Sequence, residues 1–231
     1  MPPEDTPHAR PTADDDALCA TPDPAALAEP RCRTAHWPAW LRFLLLNAGL
    51  ALYGFGLAAM INANVGLAPW DALHVGLANH LPFLTVGGAS IGAGLVCQAS
   101  AYLFLGMPVG IGSVLNMVLI GVYIDQFRPV IPHPEAPLAA WAWFLGGTLL
   151  SALATGTYIA SQFGAGPRDS VVLGLARRTG LPVKHLRTGM ELTVLAAGWL
   201  LGARVGWGTL VFALVFGPAM SAALALYGLR R

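Results

Sequence analysis

Residues 66–78 read GLAPWDALHVGLA, and the fold prediction starts from this stretch. A proline and an aspartate follow a long apolar run there. Residues 164–176 read GAGPRDSVVLGLA, which repeats the glycine, the proline, the aspartate and the Gly-Leu-Ala ending at the same spacing. A second echo follows, because VGIGSVLNMVLIG at 109–121 resembles VGWGTLVFALVFG at 205–217. The sequence therefore predicts two similar halves.

The Gly-Xaa-Xaa-Pro-Xaa-Asp spacing has a local cause in helix initiation. Gly66 lets the chain leave the preceding helix, and Pro69 suits the first position of a new one. Asp71 then lies in the first turn, where a carboxylate meets free N–H groups and the positive end of the helix dipole. The second stretch has Gly164, Pro167 and Asp169 at the matching positions.

The composition is that of an integral membrane protein. Hydrophobic residues make up 55% of the chain and charged residues 11%, whereas soluble domains are about 25% charged. The net charge of +1 excludes a basic footprint for nucleic acid. The three cysteines have neither disulfide-framework nor metal-ligand spacing. We therefore expect the lipid bilayer as a partner, no nucleic acid, no metal and no cofactor.

The first 36 residues differ from the remainder. They hold seven of the twelve acidic residues and seven prolines. Such a segment buries too little apolar area to offset its ordering entropy, so residues 1–36 are predicted to be a disordered acidic and Pro-rich tail. A dispensable solvated extension is favoured over a partner-binding tail. Residues 37–231 form the predicted transmembrane domain.

Six apolar runs in this domain are each close to the roughly twenty residues that cross about 30 Å of hydrocarbon. Two short helices, at 69–80 and 167–178, would be only about 18 Å long and cannot span the bilayer. The expected fold is all-α and polytopic. The predicted spans are residues 40–62, 87–106, 110–128, 138–161, 185–202 and 207–228.

The basic residues predict the orientation of these spans. With six spans and a cytoplasmic N-terminus, eleven of the thirteen Lys and Arg residues are cytoplasmic, as the positive-inside rule favours. We expect a multi-pass protein of the bacterial cytoplasmic membrane, with both termini inside. The cytoplasmic set is Arg10, Arg31, Arg33, Arg42, Arg168, Arg177, Arg178, Lys184, Arg187, Arg230 and Arg231, and the outer set is Arg128 and Arg204.

Each predicted half, about 40–128 and about 138–228, contains three spans and one short helix. Because three is odd, the second half must lie upside down relative to the first. Inverted repeats of this kind are the architecture of many secondary transporters. A duplication with a purely structural role is the alternative. The short helices also leave two interpretations open: interfacial helices capped by their aspartates, or re-entrant half-helices whose N-termini line a central site.

Three further polar residues enter the interpretation. Glu191 falls about two turns inside the fifth span, where a carboxylate is costly and usually functional, although it could pair with Arg187. Asn116 lies in the third span, where a hydrogen bond between helices is the favoured role. His74 is predicted to be a polar surface residue. The candidates for a solute or ion pathway are Asp71, Asp169, Glu191 and Asn116.

The two Pro-Xaa-Asp stretches, VGIGSVLNMVLIG at 109–121 and RTGMELTVLAAGWLLG at 187–202 resemble the YczE-like family of bacterial integral membrane proteins. The resemblance covers residues 40–228 and leaves the tail outside. It implies a multi-span protein with repeated Gly-Pro-Asp motifs, and it implies no reaction or substrate.

Together these features predict a transporter or permease-like protein for an unknown small solute. The alternative is a non-transporting accessory or scaffold protein whose tail and basic loop, 168–187, bind a membrane-associated partner. We expect no enzyme and no catalytic residues, because His-Xaa-Xaa-Xaa-His does not occur and the sequence shows no clustered nucleophile and base. A homo-oligomer is left open.

Overall fold

The computed structural model describes residues 32–164 and 166–229, and within these ranges the chain forms helices and no strands. This confirms the all-α prediction. Each helix begins and ends within two residues of its predicted bounds, because proline and glycine interrupt the apolar runs at these places. The helices are α1 (Ala39–Ala63), α2 (Pro69–His80), α3 (Val86–Leu105), α4 (Ile111–Phe127), α5 (Pro137–Ala160), α6 (Pro167–Thr179), α7 (Val183–Leu200) and α8 (Trp207–Leu226).

Four of the described helices, α1, α3, α5 and α8, are long and apolar enough to cross a membrane. α4 is apolar but has only 17 residues. α7 has 18 residues and contains Lys184, Arg187 and Glu191. The structure therefore supports a membrane protein with several spans, and the number six stays a prediction.

The centre of the helical body is the packing of α1 against α5, where the rings of Tyr53 and Tyr158 meet edge to face at 6.1 Å. α4 packs beside α1, and α8 packs beside α5. Each short helix lies between the two predicted halves, because α2 contacts α7 and α3, and α6 contacts α3 and α7.

Glycine sets the distance between α2 and α7. A Cβ atom on Gly198 of α7 would collide with the backbone of Ala72 and Leu73 in α2. By contrast, Gly189 in the same helix has no atom near its Cβ position. The direct backbone contact at Gly198 holds α2 against α7 and buries one face of the short helix.

Backbone conformations recur at matching positions in the two predicted halves. Among the described residues, the non-glycine residues with positive φ are Asn64 (55°) and Gln162 (58°), and each precedes a short helix. The N–H of Gly112 donates to the Phe163 carbonyl at 3.1 Å, and the N–H of Gly208 donates to the Val65 carbonyl at 3.3 Å. Thus α4 and α8 each begin against the segment before the other half's short helix.

The end of the predicted tail lies against the helical body. The N–H of Arg33 donates to the Tyr227 carbonyl at 3.0 Å, and the Thr34 hydroxyl donates to the Ala160 carbonyl. Residues 32–36 therefore contact the ends of α5 and α8. The rest of the predicted tail lies outside the described residues.

Candidate functional site

A cavity of about 320 Å³ lies where the first turns of α2 and α6 meet. The four pathway candidates all line it, although they come from four different helices. Pro69 and Pro167, the first residues of the short helices, line it as well, whereas Gly66 and Gly164 precede those helices and are not part of the lining. The pathway candidates in the lining are Asp71, Asp169, Glu191 and Asn116.

Asp71 is sealed inside the protein. Ala68 is extended before the helix, and Pro69 begins α2, so Asp71 falls in the first turn. The residue is 1% exposed, and its Oδ2 has no hydrogen-bond partner among the described residues. Burial raises the pKa of Asp71 to about 7, while the nearby Arg168 charge opposes that shift.

His74 follows one turn later and is fully buried, so the prediction of a surface histidine is wrong. α2 is covered by α7 and α3, which a sequence pattern could not show. The His74 Nδ1 lies 3.9 Å from the Asp71 Oδ1. Burial lowers the pKa of His74 well below its usual range, and Arg168 adds to this shift. The imidazole and the buried carboxyl therefore lie next to each other, although the His74 Nδ1 has no hydrogen-bond partner among the described residues.

Arg168 is the site residue that the sequence interpretation missed, because it was counted only as a charge of the cytoplasmic loop. Its Cζ lies 4.2 Å from the centre of the Trp70 ring, a cation–π contact. One of its Nη atoms is 3.5 Å from the His74 Nε2. Trp70 and Arg168 are the middle residues of the two Pro-Xaa-Asp stretches, so the two helix starts touch across the cavity. Their equivalent positions were the available signal.

The second half places its carboxylates differently. Arg187 donates to Asp169 at 3.5 Å and to Glu191 at 3.2 Å, so one guanidinium bridges both acids. All three side chains are about two-fifths exposed. The pairing of Glu191 with Arg187, which the sequence left as an alternative, is present, and Asp169 joins it.

The remaining lining combines polar and apolar surface, as ligand sites commonly do. Asn116 of α4 contributes an amide whose Nδ2 is buried without a hydrogen-bond partner among the described residues. The sequence favoured a hydrogen bond from Asn116 to another helix, and among the described residues its amide nitrogen makes none. Aromatic and sulfur-containing side chains complete the walls, namely Tyr53, Tyr158, Phe212, Phe216, Met117, Met190 and Met220.

Residues 40–224 match the sequence profile of DUF6198, a family of unknown function. The chain belongs to this family. It is 39% identical over 178 residues to the uncharacterized membrane protein YczE of Bacillus subtilis, covering 77% of this chain and 82% of that protein. The YczE-like resemblance is thereby confirmed.

Two other relatives extend the comparison. An uncharacterized protein of Haemophilus influenzae is 29% identical over 190 residues, covering 81% of this chain and 85% of its own length. The uncharacterized protein YyaS of Bacillus subtilis is 24% identical over 175 residues, covering 74% and 86%. No solved structure matches the chain. These relatives support a membrane protein, and their names assign no solute or reaction.

Proposed function

We propose that this protein transports a small solute across the bacterial cytoplasmic membrane, and that the cavity is its solute site. One observation carries the proposal: the starts of both short helices line a single cavity together with every pathway candidate. In many secondary transporters, broken or short helices from two repeats point their N-termini at a central solute in this way.

The matched features of the two halves support an inverted repeat. Asn64 and Gln162, at matching positions, both have a positive φ. The first turns of α4 and α8 make corresponding hydrogen bonds. Helix packing corresponds as well: α1 with α4 matches α5 with α8, and α2 with α7 matches α6 with α3. We therefore propose six spans, three in each half, with both termini in the cytoplasm.

The burial of α2 favours the re-entrant interpretation over the interfacial one. An interfacial helix would turn Asp71 and His74 toward water, whereas these residues are 1% and 0% exposed. Ala72 is also fully enclosed. Helix starts at membrane depth are tolerated where protein covers them or water fills a cavity beside them. Asp71 meets the first condition, because protein covers it, and it also lines the cavity.

The scaffold alternative has less support. It needs the basic loop to face outward, yet Arg168 and Arg187 line the cavity. Arg178 donates to the Phe104 carbonyl at 2.7 Å, so it too contacts the helical body. Capture of one defined partner by the wild-type chain, lost when the loop arginines are neutralised and accompanied by no flux in liposomes, would favour the scaffold.

The transport proposal requires neither enzymatic chemistry nor a second copy of the chain. Among the described residues, no three His, Cys, Asp or Glu side chains are grouped in a way that could hold a metal ion.

Uptake in proteoliposomes tests the proposal. The purified protein is reconstituted and supplied with labelled amino acids, monocarboxylates and sugars, with empty liposomes as the blank. Asp71→Asn is expected to reduce uptake of the accepted solute at least tenfold, and the exposed loop variant Glu135→Gln is expected to leave it unchanged. Unchanged uptake in Asp71→Asn, Asp169→Asn and Glu191→Gln alike would contradict the site assignment.

A further inference from the structure

We infer that the cavity binds a small organic monocarboxylate whose carboxylate pairs with Arg168 while Asp71 takes up a proton. The anion and the proton then move together, and this inference rests on the proposed transport function. No part of this assignment follows from the family comparison. It comes from the difference between the two arginines and from the isolation of the Asp71 carboxyl.

Arg168 offers a positive charge that no described carboxylate neutralises by an ion pair. Its Cζ lies over the Trp70 ring and one Nη is 3.5 Å from the His74 Nε2, so the other guanidinium N–H groups are the ones proposed to bind a carboxylate. Arg187 is already shared by Asp169 and Glu191. The cavity therefore presents one available cation, which matches a monoanion better than a doubly charged phosphate.

Both helix starts add to this preference. The N-termini of α2 and α6 border the cavity, and each carries a partial positive charge from its free N–H groups. The lining also contains the apolar residues Ile120, Phe212, Phe216 and Met220. A ligand with one carboxylate and a compact apolar body fits this mixed lining and the volume of about 320 Å³.

An ionised Asp71 would repel an incoming carboxylate, so its protonation state controls anion binding. Asp71 lines the cavity, and its buried Oδ2 has no hydrogen-bond partner among the described residues. The charged and titratable groups around the cavity, from the helices packed there, are His74 on α2, Arg168 and Asp169 on α6, Arg187 and Glu191 on α7, Tyr53 on α1, Tyr158 on α5 and Cys97 on α3.

The two ligands are coupled through Arg168. The positive charge of Arg168 holds down the pKa of Asp71, against the effect of burial. A carboxylate bound to Arg168 cancels that charge, so Asp71 then binds its proton more tightly. By reciprocity, a protonated Asp71 tightens anion binding. The proton comes from hydronium or the buffer acid in solution, whose bond to hydrogen breaks as the Asp71 O–H bond forms and whose conjugate base stays in solution, and the anion and proton together add no net charge.

Calorimetry on the full-length protein in detergent tests this inference, with benzoate as the probe and benzamide and benzylamine as neutral and cationic matches. Benzoate is expected to bind roughly tenfold more tightly at pH 6 than at pH 8, since one proton is linked to binding. Heats in buffers of different ionisation enthalpy should show proton uptake. Benzamide and benzylamine should bind at least tenfold more weakly.

Variants assign the two roles. Arg168→Gln should weaken benzoate binding at least tenfold, with Arg168→Lys losing less because it keeps the charge. Asp71→Asn should keep the affinity found at pH 6 and lose both the pH dependence and the proton uptake. Arg178→Gln, at the far end of the same helix, is the matched control and should behave as wild type. Circular dichroism and gel filtration confirm that each variant is folded.

Three results overturn the inference: no benzoate binding by the folded wild type at either pH, unchanged affinity in Arg168→Gln, or benzylamine binding that Arg168→Gln strengthens. The last result leaves the transport proposal intact with a cationic solute. The opposite outcome can also be distinguished. If benzoate binds with the expected variant pattern but proteoliposomes do not take it up, the result contradicts transport and supports the binding site.

Discussion

The two short helices begin with the same Pro-Xaa-Asp pattern, but their aspartates lie in different surroundings. Asp71 is enclosed, its Oδ2 has no hydrogen-bond partner among the described residues, and it lies beside the neutral His74. Asp169 is about two-fifths exposed and pairs with Arg187. The same local sequence therefore occurs in two settings: both aspartates lie in the first turn of a helix at the cavity, but Asp71 is enclosed and Asp169 is paired with Arg187.

The difference comes from the helices packed against each start. In the second half, α7 supplies Arg187 and Glu191 beside Asp169. In the first half, α3 lines the cavity with Ser90 and Gly94, which carry no charge. The cation whose charge acts on Asp71 comes instead from the other half, and it is Arg168. The asymmetry of the site is thus an asymmetry of side chains placed on similar backbones.

The largest expected effect tests whether α2 is held in place by its backbone contact with α7. Gly198→Ala should destabilise the protein by about 2 kcal/mol, because its Cβ would collide with the α2 backbone. The matched change Gly189→Ala, on an open face of the same helix, should raise stability slightly, since alanine favours helix. Thermal unfolding in detergent measures both. Equal melting temperatures would contradict the close contact.

A smaller effect compares the two aspartates directly in uptake. Asp71→Asn should reduce transport at least tenfold, about 1.4 kcal/mol in the transport barrier, because the buried carboxyl loses its proton exchange. Asp169→Asn should reduce it about threefold, since a partly exposed ion pair contributes little. Proteoliposome uptake at matched protein content gives both rates. A larger loss in Asp169→Asn would reverse the comparison.

The pH dependence of stability sharpens the contrast. In the fold the pKa of Asp71 is raised to about 7 from 3.8, so the folded state binds more protons between these values. The contribution of Asp71 to stability is therefore full below about pH 4, falls as the pH rises to about 7, and is flat above. Asp71→Asn should match wild type at pH 4 and melt a few degrees higher at pH 8.

Exposed Glu135→Gln provides the control for that measurement, because its loop carboxyl is solvated and should not change the difference between the two pH values. If the melting temperatures of wild type and Asp71→Asn change equally between pH 4 and pH 8, Asp71 is ionised in the folded protein.

The smallest effect concerns the Arg187 bridge. Glu191→Gln should lower stability by no more than about 0.5 kcal/mol, because both members of this pair are partly exposed. Unfolding in low and high salt is the measurement, and added salt should remove most of the difference between variant and wild type. A salt-independent loss of several kcal/mol would mean that Glu191 is buried in the membrane-embedded protein.

Helix positions were predictable because each boundary has a local cause. Pro69 and Pro167 begin the short helices, and apolar runs of the right length surround them. The depth of a helix and its contacts could not be predicted in this way, because they depend on which other helices cover it. The sequence therefore left the interfacial and re-entrant interpretations open for α2, and the exposure of 1% at Asp71 is what favours one.

Arg168 shows the same limit from another side. The positive-inside rule assigned Arg168 to a cytoplasmic basic loop, which accounts for the predicted orientation of the spans. That rule gives no sign of its contact with Trp70, 98 residues away in the sequence. His74 was expected at the surface because periodicity alone cannot reveal that α3 and α7 enclose α2. Comparison of the variable middle residues of the two repeated stretches was the signal that could have paired Trp70 with Arg168.

The central claim is that the two short-helix starts, one from each half, meet in one cavity. Cross-linking in native membranes tests it with Trp70→Cys and Arg168→Cys in a chain whose three cysteines are replaced by serine. A protease site in the 129–137 loop separates the halves, and a short bifunctional maleimide rejoins them only where the cysteines are close. Tyr53→Cys with Tyr158→Cys is the positive control, and Phe83→Cys with Arg168→Cys is the distant one.

We expect the halves to remain joined on a denaturing gel for residues 70 and 168, as for 53 and 158, and to separate for 83 and 168. Halves that separate for 70 and 168 while the 53 and 158 pair stays joined would contradict the shared cavity.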